Sequence, residues 1–264
     1  MIVDPRARIV DKKSWGNYFL LSLESPLIAS KSFSGQFVMV RVSPHPYPLL
    51  RRPFSIHSKD ENHIEIFLKI AGTGTALLSQ KKSGESLDIL GPLGKGFSTG
   101  QVLEGREAAV VGGGRGIAPL YFLAQELRTR RALPKILYGG KSLKDLPLKD
   151  KFEREGFEIS FSTDDGSYGY KGLVSDFLQA ELEKLSVSRI FACGPEAMMK
   201  KVCLIAQARN IPAEFSLESQ LGCGFGVCWG CVRRIRNNGK AAWVKICEEG
   251  PVFPAEDIIW QEEK

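Results

Sequence analysis

Residues 110–120 read VVGGGRGIAPL, a short apolar run that leads through four glycines into a helical pattern with Pro119 near its first turn. An apolar strand, a glycine-rich turn and a helix in this order are typical of the opening unit of a parallel α/β sheet. Glycines there let the backbone approach a pyrophosphate, and the helix N-terminus favours its negative charge. The candidate nucleotide-binding residues are Gly112, Gly113, Gly114 and Gly116. A tight strand-to-helix turn without a ligand is the alternative.

The acidic residue that usually follows such glycines by about twenty positions, to bind a ribose, is not evident. The next strand pattern ends in YGGKS (138–142) instead, so the ribose would be bound differently. Asp164 and Asp165 could accept hydrogen bonds from ribose hydroxyls and repel a 2′-phosphate, which favours NAD over NADP. A polar turn explains these two aspartates equally well.

Two patterns divide the chain. From residue 107 onward, strand patterns alternate with helical ones, which predicts a parallel sheet with helices on both faces. Strand patterns lie at 108–111, 135–139, 157–162, 189–193 and 213–217, and helical patterns at 117–130, 172–185 and 195–209. Residues 6–90 contain short β-rich runs separated by turn residues, the spacing of a small antiparallel barrel or sandwich. We therefore predict an α/β plus β fold with an antiparallel β-barrel domain (1–99), a Rossmann-like parallel-sheet domain (100–215) and a small C-terminal domain (216–264).

Composition limits the function classes. The 264 residues are 43% hydrophobic and carry a net charge of +6, an ordinary globular composition with a mildly basic, solvated surface. The basic tract RTRR (128–131) matches the end of an amphipathic helix, so no nucleic-acid partner is predicted. The N-terminal residues lack a signal-peptide pattern, and no apolar run approaches membrane-spanning length. We expect a cytoplasmic protein, in which clustered cysteines indicate metal or redox chemistry.

Four cysteines have the spacing of a metal site. Cys223, Cys228 and Cys231 form C-x4-C-x2-C, and Cys247 follows after fifteen residues, as in plant-type [2Fe–2S] proteins. A four-cysteine zinc site is the alternative, although zinc sites more often use two C-x2-C pairs, and this segment has one. Cys203 lies within a helical pattern and is expected to be a core residue.

The barrel half contains two further candidate phosphate sites. RRPFSIHS (51–58) offers Arg52 to a phosphate and the Ser55 hydroxyl to a ligand, although an ordinary barrel strand is the more common explanation. KIAGTGTALLS (69–79) places backbone N–H groups just before a predicted helix. Two such sites in the barrel half and one in the sheet half indicate two bound nucleotides.

These motifs together resemble the ferredoxin–NADP reductase superfamily: RPFS, GTGT, GPLGKGF (91–97), GGGRGIAPL and CGPEAMM (193–199), in this order. The resemblance implies FAD on the barrel and a nicotinamide nucleotide on the sheet, with the Cys-Gly-Pro turn beside the nicotinamide. The residues implied for FAD are Arg52, Pro53, Phe54, Ser55, Lys69, Ile70, Ala71, Gly74 and Thr75. Those implied for the nicotinamide nucleotide are the four glycines together with Cys193, Gly194 and Pro195.

The C-terminal cysteines narrow the resemblance. STDDGSYGYKG (162–172), LESQLGCGFGVCWGCV (217–232) and KICEEGPVF (245–253) are similar to motifs of the electron transfer subunits of class 1B dihydroorotate dehydrogenases. This family implies a partner, an FMN-containing catalytic subunit, in a heterotetramer of two copies of each chain that serves pyrimidine biosynthesis. Electrons from dihydroorotate would pass from FMN through the [2Fe–2S] cluster and FAD to NAD+, and no residue of this chain would act on orotate.

Other functions share parts of this pattern. Subunits of NAD(P)H–ferredoxin reductases, of electron-bifurcating reductases and of sulfhydrogenases have the same cofactor layout. A zinc-bearing interaction module without enzyme activity is a third class. Trp229, between two of the cysteines, is a candidate partner contact, and packing over the cluster is its alternative.

Overall fold

The computed structural model describes residues 1–237 and 239–260. The chain forms two compact units. The barrel unit contains Met1–Gly96, Glu218–Val232 and Lys245–Pro251, and the sheet unit contains Phe97–Leu217, Arg233–Val244 and the chain from Val252 onward. The C-terminal segment thus contributes to both units, and the division into three domains at 99 and 215 stays a prediction.

Six antiparallel strands close the barrel in the order β1-β2-β5-β4-β3-β6, which confirms the predicted barrel. Pairing of β1 with β6 closes the barrel, and alternation fills it: in β5 the side chains of Ile64 and Ile66 are buried and those of His63 and Glu65 are not. The strands are β1 (Ile2–Trp15), β2 (Tyr18–Glu24), β3 (Phe37–Arg41), β4 (Arg52–Lys59), β5 (His63–Lys69) and β6 (Ser86–Leu93).

Two helices belong to the barrel unit. Helix α1 (Pro26–Lys31) begins with a proline, which suits the first helical position because it needs no N–H there. Helix α2 (Thr73–Gln80) begins where the GTGT motif predicted a helix. The sequence patterns did not indicate α1, whose six residues are too few to establish a helical period.

The sheet unit contains a seven-stranded sheet in the order β10-β9-β8-β7-β11-β12-β15. All neighbouring strands are parallel except β12 and β15, so the predicted parallel sheet is confirmed with one antiparallel edge strand. The strands are β7 (Glu107–Gly113), β8 (Leu133–Gly140), β9 (Ile159–Thr163), β10 (Tyr170–Lys171), β11 (Val187–Cys193), β12 (Ala213–Ser216) and β15 (Val252–Pro254).

Four helices connect these strands: α3 (Ile117–Thr129), α4 (Lys149–Arg154), α5 (Val174–Glu181) and α6 (Glu196–Ala208). Helix α3 contacts β7, β8 and β11, and α6 contacts β11 and β12. Nine of the thirteen residues of α3 are buried, as expected for a helix that packs on a central strand. Cys203 on α6 is buried, so the prediction that it is a core residue is confirmed.

The C-terminal segment runs from the sheet into the cysteine loop and back. It contains a two-stranded sheet of β13 (Val232–Asn237) and β14 (Lys240–Lys245), the one-turn helix α7 (Ile246–Glu249), and β15. Within the described part of the chain, none of the helices is both long and apolar enough to cross a membrane.

Candidate functional site

The carboxyl ends of the parallel strands bring the predicted nucleotide motifs to one edge of the sheet. Strand β7 ends at Gly113 and its neighbour β11 at Cys193, and Gly112 and Cys193 are paired in the ladder. Open parallel sheets bind ligands in the crevice outside this edge. The glycine turn and the Cys-Gly-Pro turn, distant in sequence, are therefore adjacent in the fold.

The two turns touch so closely that side chains are excluded. A Cβ atom at Gly116 would lie 2.1 Å from the carbonyl oxygen of Cys193 and 2.6 Å from the Cα of Gly194. A Cβ at Gly113 would lie 2.9 Å from the Cδ of Pro195. These glycines allow the two backbones to touch. From the sequence, they were predicted only to let the backbone approach a phosphate.

Helices α3 and α6 both begin directly after these turns, at Ile117 and Glu196. Each has thirteen residues, and the first N–H groups of a helix lack partners within it, so both ends attract an anion. Two such ends beside a turn without side chains fit the diphosphate of a dinucleotide.

The predicted ribose-binding aspartates lie in the turn after β9. The Asp165 carboxylate accepts a hydrogen bond from the Ser167 backbone N–H at 2.9 Å. Hydrogen bonds from Ser167 hold the pKa of Asp165 below its usual value. Asp165 therefore stabilises its own turn, and the choice between NAD and NADP stays a prediction.

In the barrel unit, Arg52 lies at the start of β4 beside the beginning of α2. A Cβ at Gly74 would lie 3.1 Å from Nε of Arg52, so the GTGT motif and the RPFS motif are in contact. Arg52 donates to the carbonyl oxygen of Leu50 at 2.6 Å. Its charge and the N–H groups at the start of α2 together fit a phosphate group.

The turn before α2 is fixed by its own threonine. The Thr75 hydroxyl accepts from the N–H groups of Ala71 at 2.9 Å and Gly72 at 3.2 Å. Lys69 at the end of β5 donates to the Tyr18 hydroxyl at 2.8 Å. Thr75 therefore shapes the candidate site by fixing the backbone before α2, and Lys69 does so by its hydrogen bond to Tyr18.

Pro53, Phe54 and Ser55 follow Arg52 along β4, opposite Met39, Val38 and Phe37 of β3. All three are partly accessible, unlike the buried residues Ile56 and His57 that follow them. The barrel thus brings the predicted residues of β4 and α2 together, and leaves the β4 residues open to a ligand.

We expect Arg52→Ala to weaken FAD binding about ten- to a hundredfold. A hydrogen bond to a charged group contributes about 1.5–3 kcal/mol, and about 1.4 kcal/mol corresponds to a factor of ten. The dissociation constant would be measured by flavin fluorescence on rebinding to the apoprotein. Arg51→Ala is the matched control, because Arg51 is already paired with Asp88 at 2.8 Å. Equal weakening in both variants would contradict the role of Arg52.

The four predicted cluster cysteines are free thiols in two neighbouring segments of the barrel unit. Backbone N–H groups link them in two pairs. The N–H of Cys228 donates to the sulfur of Cys223 at 3.4 Å, and the N–H of Cys247 donates to the sulfur of Cys231 at 3.5 Å. Among the described residues, no three cysteine, histidine or acidic side chains converge on one point.

Further N–H groups of the loop point at the sulfurs. Gly226 donates to Cys247 at 3.2 Å and Gly230 donates to Cys228 at 3.4 Å. Such bonds stabilise negative charge on sulfur and tune the reduction potential of an iron–sulfur cluster. An anionic cluster therefore fits this donor set.

The two pairs have different electrostatic environments. Burial alone would raise the pKa of the Cys223 thiol, but backbone N–H groups of Phe225 and Cys228 outweigh it and lower the pKa to about 6. Burial raises the pKa of the Cys247 thiol to about 12, and Cys231 adds to this effect. The Cys223 end of the loop thus favours a thiolate before any metal binds.

Close backbone contacts hold the cysteine loop on the barrel. A Cβ at Gly224 would lie 2.5 Å from Cγ of Met39 on β3, and Gly224 has a φ of +84°. After α7, the carbonyl oxygen of Gly250 accepts from the N–H of Lys95 at 2.5 Å. The loop is therefore held on the barrel just after its first cysteine and again after its last.

Large apolar side chains in this loop are exposed. Phe225, Val227 and Trp229 are 42%, 69% and 59% exposed. Sequence reasoning had identified Trp229 alone, and its exposure is consistent with a contact surface. The sequence analysis did not identify Lys245, whose Nζ donates to the carbonyl oxygen of Gly226 at 3.1 Å, a contact that no spacing rule predicts.

Two family models match the chain. Residues 110–204 match the oxidoreductase NAD-binding domain, and residues 218–259 match the iron–sulfur cluster binding domain of dihydroorotate dehydrogenase B. Fold and site together define an NAD-dependent oxidoreductase chain with an iron–sulfur segment.

Curated relatives narrow this class. The chain is 36% identical over 93% of its length to the electron transfer subunit of dihydroorotate dehydrogenase B (NAD(+)) from Desulforamulus reducens, covering 94% of that protein. It is 39% identical over 90% of its length to the protein of the same name from Bacillus pumilus, covering 91% of it. The chain belongs to the family of dihydroorotate dehydrogenase B (NAD(+)) electron transfer subunits.

Solved structures support the fold. A chain of the NADH-dependent reduced ferredoxin–NADP oxidoreductase, a structure concerned with flavin-based electron bifurcation, is 28% identical with a TM-score of 0.85, over 97% of this chain and 91% of that one. A ferredoxin–NADP+ reductase from Neisseria gonorrhoeae is 18% identical with a TM-score of 0.66, over 78% and 91% of the two chains. The second likeness concerns the fold alone.

Proposed function

We propose that this chain transfers electrons from the catalytic subunit of a dihydroorotate dehydrogenase to NAD+ in pyrimidine biosynthesis. The observation that carries the proposal is the four-cysteine loop packed on the barrel. In the same chain, the sheet unit brings together the glycine turn after β7 and the Cys-Gly-Pro turn after β11. The match of 36–39% identity to subunits of this name over about 90% of the chain supports it. When bound, a [2Fe–2S] cluster moves single electrons, NAD+ takes a hydride, and FAD can exchange electrons with both.

Each group of residues then has a role. The thiolates of Cys223, Cys228, Cys231 and Cys247 hold the cluster, and their two hydrogen-bonded pairs suit two iron atoms with two thiolates each. Arg52 and the start of α2, with Gly74 and Thr75, bind the FAD phosphates, while Pro53, Phe54 and Ser55 border the flavin. Lys69, Ile70 and Ala71 lead the chain into this site.

The nicotinamide nucleotide is assigned to the edge of the sheet. Gly112, Gly113, Gly114 and Gly116 leave room for its diphosphate, and the turn of Cys193, Gly194 and Pro195 borders the nicotinamide. No group of this chain is needed to act on dihydroorotate, which the partner oxidises.

The partner is an FMN-containing catalytic subunit, assembled as a heterotetramer with two copies of each chain in the cytoplasm. Six free cysteines suit a reducing compartment. The exposed side chains of Phe225, Val227 and Trp229, which lie between cluster ligands, would meet this partner because interfaces favour aromatic residues.

The test is reconstitution with the partner. The purified chain should contain FAD and two irons, and should oxidise NADH with ferricyanide as acceptor. It should not oxidise dihydroorotate alone. Adding the catalytic subunit should produce orotate and NADH in equal amounts, since dihydroorotate loses two electrons and two protons, and NAD+ takes both electrons and one proton.

Three outcomes would overturn this proposal. Dihydroorotate oxidation by the isolated chain would contradict the division of labour. Efficient reduction of ferredoxin without coupling to the catalytic subunit would favour a ferredoxin reductase. A colourless protein with zinc and no flavin would favour an interaction module.

A further inference from the structure

We infer that Lys245 is a positioning residue that fixes Gly226 against the sulfur of Cys247 and thereby raises the reduction potential of the cluster. This inference rests on the proposed function, because it takes the four cysteines as cluster ligands. Lys245 is the last residue of β14, two positions before Cys247, and neither the cysteine spacing nor the flavin motifs indicate a role for it.

Both the carbonyl oxygen and the N–H of Gly226 form hydrogen bonds. Its carbonyl oxygen accepts from Nζ of Lys245 at 3.1 Å, and its N–H donates to Sγ of Cys247 at 3.2 Å. Gly226 therefore links Lys245 to the proposed cluster ligand Cys247. Gly226 has a φ of +89°, a backbone conformation that residues with a side chain rarely adopt, so glycine is strongly favoured at this point.

Lys245 is itself fixed on several sides. Its ammonium group pairs with the carboxylate of Glu248 and lies 5.0 Å from the centre of the Trp229 ring. Its backbone N–H donates to Oε1 of Glu249 at 3.0 Å. Only 19% of the side chain is exposed, so the cation is held in place and partly shielded from water.

These contacts have a definite electrostatic consequence. One-electron reduction adds a negative charge to the cluster and its four thiolates. An N–H directed at a ligand sulfur and a nearby cation both favour the more negative state. Lys245 supplies the cation and keeps the Gly226 N–H in line with Cys247, so its loss should disfavour reduction.

The experiment is an electron paramagnetic resonance redox titration of the full chain loaded with its cofactors. For Lys245→Gln we expect the equilibrium between oxidised and reduced cluster to shift about tenfold toward the oxidised form, which is about 59 mV for a one-electron couple. Lys245→Arg, which keeps the positive charge and can still donate to Gly226, should keep a potential close to that of the wild type. Lys240→Gln is the matched control, because it removes the same charge from an exposed position on the same strand.

A second variant tests the sign. Glu248→Gln removes the negative member of the pair, and should shift the equilibrium toward the reduced form. If Lys245 had only a structural role, the two variants would not shift the equilibrium in opposite directions. A wild-type potential in Lys245→Gln, or equal shifts in Lys240→Gln, would overturn the inference. A shift toward the oxidised form in Glu248→Gln would also overturn it. This measurement remains possible even if Lys245→Gln takes up the cluster poorly.

The outcome is separable from that of the proposed function. A wild-type chain that holds the cluster but fails to couple to the catalytic subunit would contradict the proposed function, and the titration would still be decisive for Lys245. A coupled, cluster-bearing wild type with no change of potential in Lys245→Gln would contradict this inference alone.

Discussion

Replacing Cys223, Cys228, Cys231 or Cys247 by serine is expected to remove the [2Fe–2S] cluster or leave it severely depleted. Each iron needs two thiolates, and a serine hydroxyl is a poor substitute for a thiolate ligand. The measurement is iron and acid-labile sulfide per chain, together with the visible absorption of the cluster. Wild type should carry about two of each, and each variant a small fraction of that.

The four cysteines differ in exposure, so serine should disturb folding to a different extent at each of them. Cys231 and Cys247 are each 2% exposed, so serine there also buries a hydroxyl group. Cys228 is exposed, and its replacement should affect folding least. Cys228→Ser should therefore keep FAD and NADH–ferricyanide activity while it abolishes dihydroorotate-dependent NAD+ reduction with the partner present.

Cys203→Ser is the control for thiol chemistry unrelated to the cluster. Its sulfur lies in the core of the sheet unit, 3.5 Å from the carbonyl oxygen of Ala255. This variant should keep its full complement of iron and sulfide. Full iron content in all four ligand variants, or loss of iron in Cys203→Ser, would show that the ligand assignment is wrong.

The fold could be predicted from the sequence where its signals are local. The β-rich runs of the barrel half and the strand–glycine–helix pattern around Gly116 are local signals, and the structure confirms strands such as β5 and the helix α3 at these places. The antiparallel edge strand β15 has no such signal. It joins β12 by pairing Phe215 with Phe253, a contact between distant segments that no short pattern reports.

The same limit applies to the candidate site. The spacing of the four cysteines predicts that they are ligands, because C-x4-C-x2-C followed by a distant cysteine is typical of plant-type [2Fe–2S] sites. The spacing does not reveal which N–H groups point at which sulfur, or that Gly224 packs against Met39. Those contacts depend on how the loop folds back on the barrel, and so does the approach of Lys245 to Gly226.

Gly116→Ala is expected to lower the activity with NADH about a hundredfold, the size of effect that a displacement of about 1 Å produces. The added Cβ would lie 2.1 Å from the oxygen of Cys193 and 2.3 Å from its carbonyl carbon. The backbone has no flexible side chain to move aside there, so the two turns must separate. The proposed nucleotide site is built from both turns, so its geometry should be lost with their contact.

The change should be confined to the nicotinamide nucleotide. The residues assigned to FAD and to the cluster lie in the barrel unit, whereas Gly116 lies in the sheet unit. Flavin absorption and iron content should therefore stay at wild-type values while the KM for NADH rises and kcat falls. Gly100→Ala is the matched control in the same unit, since a Cβ there would meet only Nη1 of Arg130 at 4.0 Å. Thermal unfolding of both variants checks that the sheet unit remains folded. A Gly116→Ala chain that is folded and uses NADH as well as Gly100→Ala would contradict the placement of the nucleotide between these two turns.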